Sequence, residues 1–237
     1  MILTKSNQEH IQSWLDTVHS DGAAVLIDKD LHWTSFDVIA KMRRIVNIRK
    51  IGHAGTLDPL ASGLLIVCLG KFTKKINEFQ DAPKTYLATI KLGATTKSDD
   101  SEFEEENIQD TSNITINDIQ NVISGFIGSI EQRPPDFSAK KIHGRKLYEM
   151  ARKNQFIDIP TSSVTINSIE IIRCDLPSFD VLVNCEKGTY IRALARDIGA
   201  KLGVGGYLSA LRRTKIGEYN ADESVRIQEL ENLIVNI

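Results

Sequence analysis

The sequence predicts an α/β (α+β) domain built around a mixed sheet, and three observations carry that prediction. Lys84–Leu92 and Phe179–Cys185 alternate apolar and polar residues, the two-residue period of half-buried strands. Thr34-x-x-Asp37 and Thr115-x-x-Asp118 have the form of capping boxes, each followed by apolar residues at helical spacing. Strands and helices are interleaved, yet no regular βαβ repeat appears, which favours a mixed sheet with helices packed on it.

Taken in order, the first helix starts at Thr34 and buries Val38, Ile39, Met42, Ile45 and Val46, leaving Lys41, Arg43 and Arg44 outward. Leu64–Leu69 (LLIVCL) is apolar without alternation, so a buried strand and a short helix both fit it. In Lys84–Leu92 the residues Tyr86, Ala88, Ile90 and Leu92 share one side. The helix from Thr115 continues through Ile119, Val122, Ile123 and Phe126. Phe179, Val181, Val183 and Cys185 form the inward row of another strand. Thr189 then caps a helix that turns Ile191, Leu194, Ala195, Ile198 and Leu202 inward and sets Arg192 and Arg196 one turn apart. Asp222–Ile237 reads as one closing helix, packing through Val225, Ile227, Leu230, Leu233 and Ile234. The expected organisation is an N-terminal extension (1–21), a main domain (22–221) with an appended basic, helical insert at about 130–162, and the closing helix (222–237).

Composition bounds the function. With 41% hydrophobic and 25% charged residues in 237, the chain has an ordinary globular balance and enough length for a sizeable core. No apolar run is long enough to cross a bilayer, and Met1–His10 turns polar after Ile2 and Leu3, unlike a secretory signal. A cytoplasmic location without a membrane partner is therefore expected. Cys68, Cys174 and Cys185 lie in or beside apolar runs as reduced core thiols, and the histidines at 10, 19, 32, 53 and 143 form no ligand pair at helical spacing. Neither a metal nor a cofactor is expected.

The net charge of −2 conceals segregation. Residues 99–106 hold six acids, whereas 133–153 carry seven Lys or Arg against two acids and 187–215 carry seven against one. Local cation clusters of this kind bind phosphates, although any one of them taken alone is more simply a solvated helix face.

Residues 52–63 read Gly-His-Ala-Gly-Thr-Leu-Asp-Pro-Leu-Ala-Ser-Gly and present one carboxylate, Asp58, on a glycine-punctuated turn leading into the apolar stretch. Gly52, Gly55 and Gly63 permit close approaches, and Pro59 fixes a dihedral next to the acid. Two readings are open: a catalytic carboxylate on a rigid loop, or a solvated Asp capping a turn.

This segment closely resembles the catalytic motif of the tRNA pseudouridine-55 synthases, the TruB family of bacterial RNA-modifying enzymes. Leu26–Phe36 (LIDKDLHWTSF) resembles that family's first motif, Lys84-Thr85-Tyr86 with Leu92–Asp99 (LGATTKSD) its second block, and Arg133–Arg152 (RPPDFSAKKIHGRKLYEMAR) its RNA-gripping insert. Gly188–Gly199 (GTYIRALARDIG) and Gly206–Arg213 (GYLSALRR) complete a set of five blocks in the family's order, covering most of residues 22–219.

The resemblance implies a pseudouridine-synthase-like domain with a largely antiparallel central sheet, and an isomerase that flips a uridine of the tRNA T loop, at position 55, and converts it to pseudouridine without a cofactor. It implies Asp58 as the essential acid, either nucleophile on the sugar or base at its carbon 2, with Arg192 as its guanidinium partner. Tyr86 matches the aromatic that stacks on the flipped uracil, with a hydroxyl available for proton transfer at carbon 5. His53 matches the residue that stacks among loop nucleotides, and Tyr190 and Leu211 match pocket walls. Lys29 resembles a backbone or structural contact, and Lys140, Lys141, Arg145 and Lys146 are the expected RNA-backbone contacts. The partner is then the T-arm stem-loop of tRNA, and the chain is expected to act as a monomer.

Three departures from the family pattern stand out. Asp30 and His32 replace the usual Pro and Gly of the first motif, so its turn is expected to be less constrained, and Ala54 replaces a common Thr. Many relatives also carry a C-terminal RNA-binding PUA domain, whereas this sequence ends at Ile237, so RNA is expected to be gripped by the catalytic domain and insert alone. Guide-RNA-dependent relatives share the motifs but depend on that domain. The reading from another class is a non-catalytic RNA-binding or tRNA-folding chaperone, which needs the basic insert but not Asp58 with Arg192. A carboxylate glycosidase would need a second acid motif comparable to Asp58, and none is found.

Overall fold

The structure, a computed structural model, describes residues 1–138, 140–142, 144–153, 155 and 157–236. In chain order its elements are β1 (Ile2–Leu3), α1 (Ile11–Ser20), β2 (Ala23–Lys29), α2 (Ser35–Val46), β3 (Ile51–His53), β4 (Ala61–Leu69), α3 (Ile76–Asp81) and β5 (Lys84–Leu92). There follow α4 (Ile116–Ser124), β6 (Gly128–Gln132), β7 (Lys141–Ile142), β8 (Arg145–Lys146), α5 (Leu147–Ala151), β9 (Ser162–Asp175) and β10 (Ser178–Cys185). The last are α6 (Ile191–Leu202), β11 (Gly206–Ile216), β12 (Tyr219–Asn220), β13 (Val225–Arg226) and α7 (Ile227–Val235). The fold is mixed α/β with a largely antiparallel sheet flanked by helices, and the chain divides into two compact units, Met1–Tyr86 with Arg212–Ile237, and Leu87–Leu211.

In the first unit the strand order is β1-β2-β4-β11. β2 and β4 pair antiparallel from Ala23 opposite Leu69 to Lys29 opposite Gly63, while β1 and β13 both lie parallel to β2. Both faces of this pair are covered. Val25, Ile27, Leu65, Val67 and Leu69 pack with α1, α2 and α7 residues, and Ala24, Leu26, Leu64, Ile66 and Cys68 pack with Phe79, Ile216 and Ala221. Burial on two faces removes the polar half of the alternation, which is why LLIVCL could not be told from a helix by its pattern. Residues 1–21 belong to this core: Trp14 is fully buried, and its indole N–H donates to Ala24 O at 2.8 Å.

α2 starts as its capping box requires, with the Thr34 hydroxyl accepting from Asp37 N and the Asp37 carboxylate accepting from Thr34 N. It ends at Asn47, which takes the left-handed conformation that stops a helix. The C-terminal segment departs from the single helix expected from Asp222. Val225 is wholly buried and Val225–Arg226 extends as β13 along β2, so α7 begins only at Ile227.

In the second unit the order is β11-β5-β10-β9-β6. β10 alternates as its sequence does, with Phe179, Val181, Val183 and Cys185 buried. α4 has its Thr115–Asp118 box and stops at Ser124, leaving the buried Phe126 just beyond it. α6 starts one residue later than expected: Tyr190 occupies the N-cap, and the Thr189 hydroxyl donates instead to Glu186 O at 2.9 Å. A Cβ on Gly199 would lie 2.2 Å from Gly206 N, so only glycine lets this helix reach β11 so closely. The insert springs from the antiparallel pair β6–β9 and is less helical than expected, its described part being the β7–β8 hairpin and the five-residue α5. Cys174 is half-exposed near the end of β9, unlike Cys68 and Cys185.

Candidate active site

β3 and β4 pair antiparallel, Ile51 to His53 opposite Leu69 to Val67, so residues 54–60 are forced into the loop that carries Asp58. The loop is tied at several points. Leu57 N donates to Ser35 Oγ at 2.9 Å while Ser35 Oγ faces Leu57 O at 3.2 Å, and His32 N donates to Pro59 O at 2.7 Å. Asp58 O accepts from Ala61 N at 3.0 Å. Gly55 and Gly63 have φ of 92° and 100°, and a Cβ on Gly63 would meet Arg213 O at 2.3 Å. The carboxylate itself is half-buried. Asp58 thus sits on a braced turn, in keeping with the rigid-loop reading.

Beneath the loop lies Arg213, 1% exposed. Its Nε donates to Leu64 O at 2.7 Å and Nη2 to Gly55 O at 3.1 Å, and its guanidinium is also hydrogen-bonded to the Tyr86 side chain. Burial pulls its pKa down from the usual arginine value, and the Tyr86 oxygen partly offsets this. One side chain therefore joins the first strand behind the loop, the loop itself and the candidate stacking residue. Its neighbour Arg212 points the other way, forking onto Asp28 with two bonds of 2.9 Å. Sequence reasoning did not single out Arg213. The available signal was parity: on a strand, residue 213 shares a side with Leu211, already expected to face inward.

Lys29 is buried, 1% exposed, and its Nζ donates to Trp33 O at 2.6 Å and Asp30 O at 3.0 Å. Burial lowers its pKa to about 8 against the opposing pull of the Asp58 carboxylate, whose charge is close enough to be felt. The first-motif turn is not relaxed by its unusual residues, because His32 takes the left-handed φ of 66° that a glycine would adopt at no cost. His53 is half-buried at the end of β3, its ring edge-on to Phe36 with centroids 6.0 Å apart. Burial holds its pKa below the usual value, so the ring is neutral at neutral pH.

The other candidates belong to the second unit. Arg192 is not a solvated helix arginine: it is 6% exposed, donating from Nη1 to Ser98 O and from Nη2 to Phe137 O, each at 3.0 Å, with Asp100 Oδ2 at 3.5 Å. Tyr190 is fixed through its backbone by Gln132, a buried side chain not anticipated from sequence, which accepts from Tyr190 N at 2.8 Å and donates to Tyr190 O at 3.1 Å. Leu211 is half-buried on β11. Arg196 pairs with Asp99 at 2.8 Å, and burial raises the Asp99 pKa to about 6 despite that partner.

Of the expected RNA-backbone residues, Arg145 is exposed beside α5, while Lys140 Nζ is engaged with Ser162 Oγ at 2.6 Å. The side chains of Lys141 and Lys146 lie outside the described residues. Among the described residues no group of three or more His, Cys, Asp or Glu side chains is placed to hold a metal ion, and no helix is long and apolar enough to cross a membrane.

Known proteins agree with this arrangement. Residues 43–191 match the TruB family pseudouridylate synthase N-terminal domain, and residues 192–236 match the tRNA pseudouridylate synthase B C-terminal domain. The chain is 46% identical to the tRNA pseudouridine synthase B of Parabacteroides distasonis over 90% of its own length and 93% of that protein's. It is 42% identical to the protein of the same name from Chloroherpeton thalassium, over 93% of this chain and 94% of that one. Among solved structures it is similar to a chain of a Cbf5-Nop10-Gar1 complex, with a TM-score of 0.71, 29% identity and 92% of this chain covered. A chain of an H/ACA RNP bound to a substrate RNA containing 2'-deoxyuridine gives a TM-score of 0.69 at 28% identity and 92% coverage, and this chain spans only 56% and 55% of the two neighbours. With motif order, loop geometry and family matches in accord over nearly the whole sequence, the chain belongs to the TruB family of pseudouridylate synthases.

Proposed function

We propose that the chain isomerises uridine to pseudouridine in the T loop of tRNA, at position 55, with Asp58 as the catalytic acid. The observation that carries the reading is the braced loop: one carboxylate carried on a turn whose backbone is held by Ser35, His32 and Arg213, with the Tyr86 side chain hydrogen-bonded to the same arginine. Relatives named tRNA pseudouridine synthase B, matched over nearly their full length, support the substrate.

The reaction breaks the bond between sugar carbon 1 and uracil nitrogen 1 and forms one from the same carbon to uracil carbon 5, while a proton leaves carbon 5 and nitrogen 1 gains one. Atoms and charge balance without any external reagent. Asp58 acts in its ionised form, attacking the sugar or removing the proton at its carbon 2, and needs a cation to stay ionised when RNA covers it. Arg192 is that cation, since a guanidinium offers a planar fork that a carboxylate can accept. Lys29 adds positive potential from its own buried position.

A uridine in a folded loop must leave its stack before it can react. His53, neutral and half-buried, stacks among the loop nucleotides, and Tyr86 stacks on the extruded base with its hydroxyl oriented by Arg213 for proton movement at carbon 5. Tyr190 and Leu211 exclude water that would capture the severed sugar. Arg145, with Lys140, Lys141 and Lys146, holds phosphates from the insert. The test is mass-spectrometric mapping of an unmodified tRNA and of its T-arm stem-loop after incubation with the purified chain. Pseudouridine at the T-loop position in both is expected; an unmodified uridine there, or conversion only elsewhere, would overturn the assignment.

A further inference from the structure

The insert leaves the sheet at Gln132, the last residue of β6, which stands opposite Ser162 on β9. A segment of this kind could hang from the sheet alone, but α6 also holds its root. Arg196 Nη2 donates to Arg133 O at 2.9 Å and Arg192 Nη2 to Phe137 O at 3.0 Å. The same two guanidiniums reach Asp99 Oδ2 at 2.8 Å and Ser98 O at 3.0 Å. Gln132 closes this joint in the opposite direction, from strand to helix, through its two bonds to the Tyr190 backbone.

Those two bonds fall where α6 lacks a fastening of its own. Helices usually start on Ser, Thr, Asp or Asn, whose side chain caps the first turn. Here the N-cap is Tyr190, without a side-chain cap, and the Thr189 hydroxyl is turned to Glu186 O. Tyr190 is extended, with φ −100° and ψ 111°, and the Gln132 amide meets its N–H and C=O together as a paired strand would. Tyr190 O also accepts from Leu194 N at 3.1 Å, so the clamp sits on the first rung of the helix. Its mount is rigid, since Gln132 is 1% exposed and belongs to a strand paired along its length. Generic packing does not account for a buried amide, which gains little over an apolar side chain of equal size. Both of its bonds go to the one residue that starts the helix carrying Arg192.

We propose that Gln132 is a positioning residue for the isomerisation: by clamping the Tyr190 backbone it sets the first turn of α6, and with it the aim of the Arg192 guanidinium two residues on. It acts through the helix start and not on the RNA. A group in that turn displaced by about 1 Å costs about 100-fold in rate, while phosphate contacts made elsewhere are unaffected. The inference rests on the role given to Arg192 in the function proposed above, and adds a residue outside the motif that carries Arg192.

The test is a double-mutant cycle. Gln132→Met, which keeps the length of the side chain and removes both of its polar groups, is made in wild type and in Arg192→Lys. Single-turnover rates at saturating tRNA and the Kd for that tRNA are measured well below the Tm of each variant. In wild type Gln132→Met should lower the saturated rate by at least about 30-fold and change Kd less than about threefold. In Arg192→Lys the same substitution should lower the rate less than about threefold, because a side chain that cannot form the fork no longer gains from being aimed. Gln132→Glu keeps the acceptor for Tyr190 N but sets an oxygen against Tyr190 O, and should lose about tenfold at about pH 8 with the same dependence on Arg192. It carries the comparison by itself if Gln132→Met does not fold. A rate within about threefold of wild type, an equal loss in both backgrounds, or a loss confined to Kd would overturn the proposal. A wild type that makes no pseudouridine would instead defeat the assigned reaction, a result distinct from an active enzyme indifferent to Gln132.

Discussion

Replacing Arg213 by methionine keeps an unbranched chain of similar reach and removes every donor that Arg213 itself offers to the Asp58 loop. The buried Leu64 O and the part-buried Gly55 O lose charge-assisted bonds of 2.7 and 3.1 Å, and the Tyr86 side chain loses one hydrogen bond. Leaving a buried polar atom unpaired costs about 1–3 kcal/mol, which applies in full to Leu64 O and in part to the half-buried Gly55 O and Tyr86, for a total of about 3–5 kcal/mol. Removing a guanidinium whose burial is itself unfavourable returns part of that, leaving a net loss of about 2–4 kcal/mol. For a chain of this size the loss lowers Tm by roughly 5–15 °C. Catalysis should suffer beyond stability, because a displacement of about 1 Å at a reacting group costs about 100-fold in rate. Thermal denaturation gives the first quantity. Release of tritium from tRNA labelled at uridine carbon 5, measured well below the variant's Tm under single turnover, gives the second. Arg213→Lys should recover part of the stability but little of the rate, since one ammonium cannot span loop, strand and phenol together. An Arg213→Met protein with a Tm within 2 °C of wild type and a rate within about threefold would refute the bracing role.

Two further outcomes follow from the same geometry. Lys29 has a folded pKa of about 8 against an ordinary 10.5, so from pH 8 upward the native state sheds a proton that the unfolded chain keeps, and the cost of burying this charge is relieved as pH rises. Relative to Lys29→Met, wild type should gain roughly 2.5 kcal/mol of unfolding free energy between pH 7 and pH 10; parallel pH dependences in urea titrations would contradict that. Arg192→Lys should lower single-turnover rate by at least about 100-fold with RNA affinity changed less than about threefold, because an ammonium cannot replace the fork that holds Ser98 O and Phe137 O together; near-normal turnover would contradict it.

Where local physics decides structure, the sequence could be read directly. The boxes at Thr34 and Thr115 and the alternation of β10 are settled by bonds and burial within a few residues, and all three appear as expected. Long-range packing decided the rest. β4 is covered on both faces, so its pattern lacked a period, and β13 is a two-residue strand that exists only because β2 offers an edge at Ile27 and Asp28. Among site residues, the loop of Asp58 was legible because glycine and proline spacing restricts a turn directly. Arg213 was not, since an arginine beside another arginine reads as solvated surface until the strand's two sides are known. Gln132 clamps Tyr190 across 58 positions, a relation with no local signal.

The central claim, that Asp58 performs the chemistry and does not merely cap a turn, is tested most directly by Asp58→Asn. The amide keeps the volume of the side chain and removes its charge, and the backbone bond from Ala61 N to residue 58 O is untouched. Pseudouridine formation in tRNA by saturating enzyme should become undetectable by mass spectrometry under single-turnover conditions, while the Kd for the same tRNA stays within about threefold of wild type and Tm within a few degrees. Retention of more than about a tenth of the wild-type rate would contradict the account.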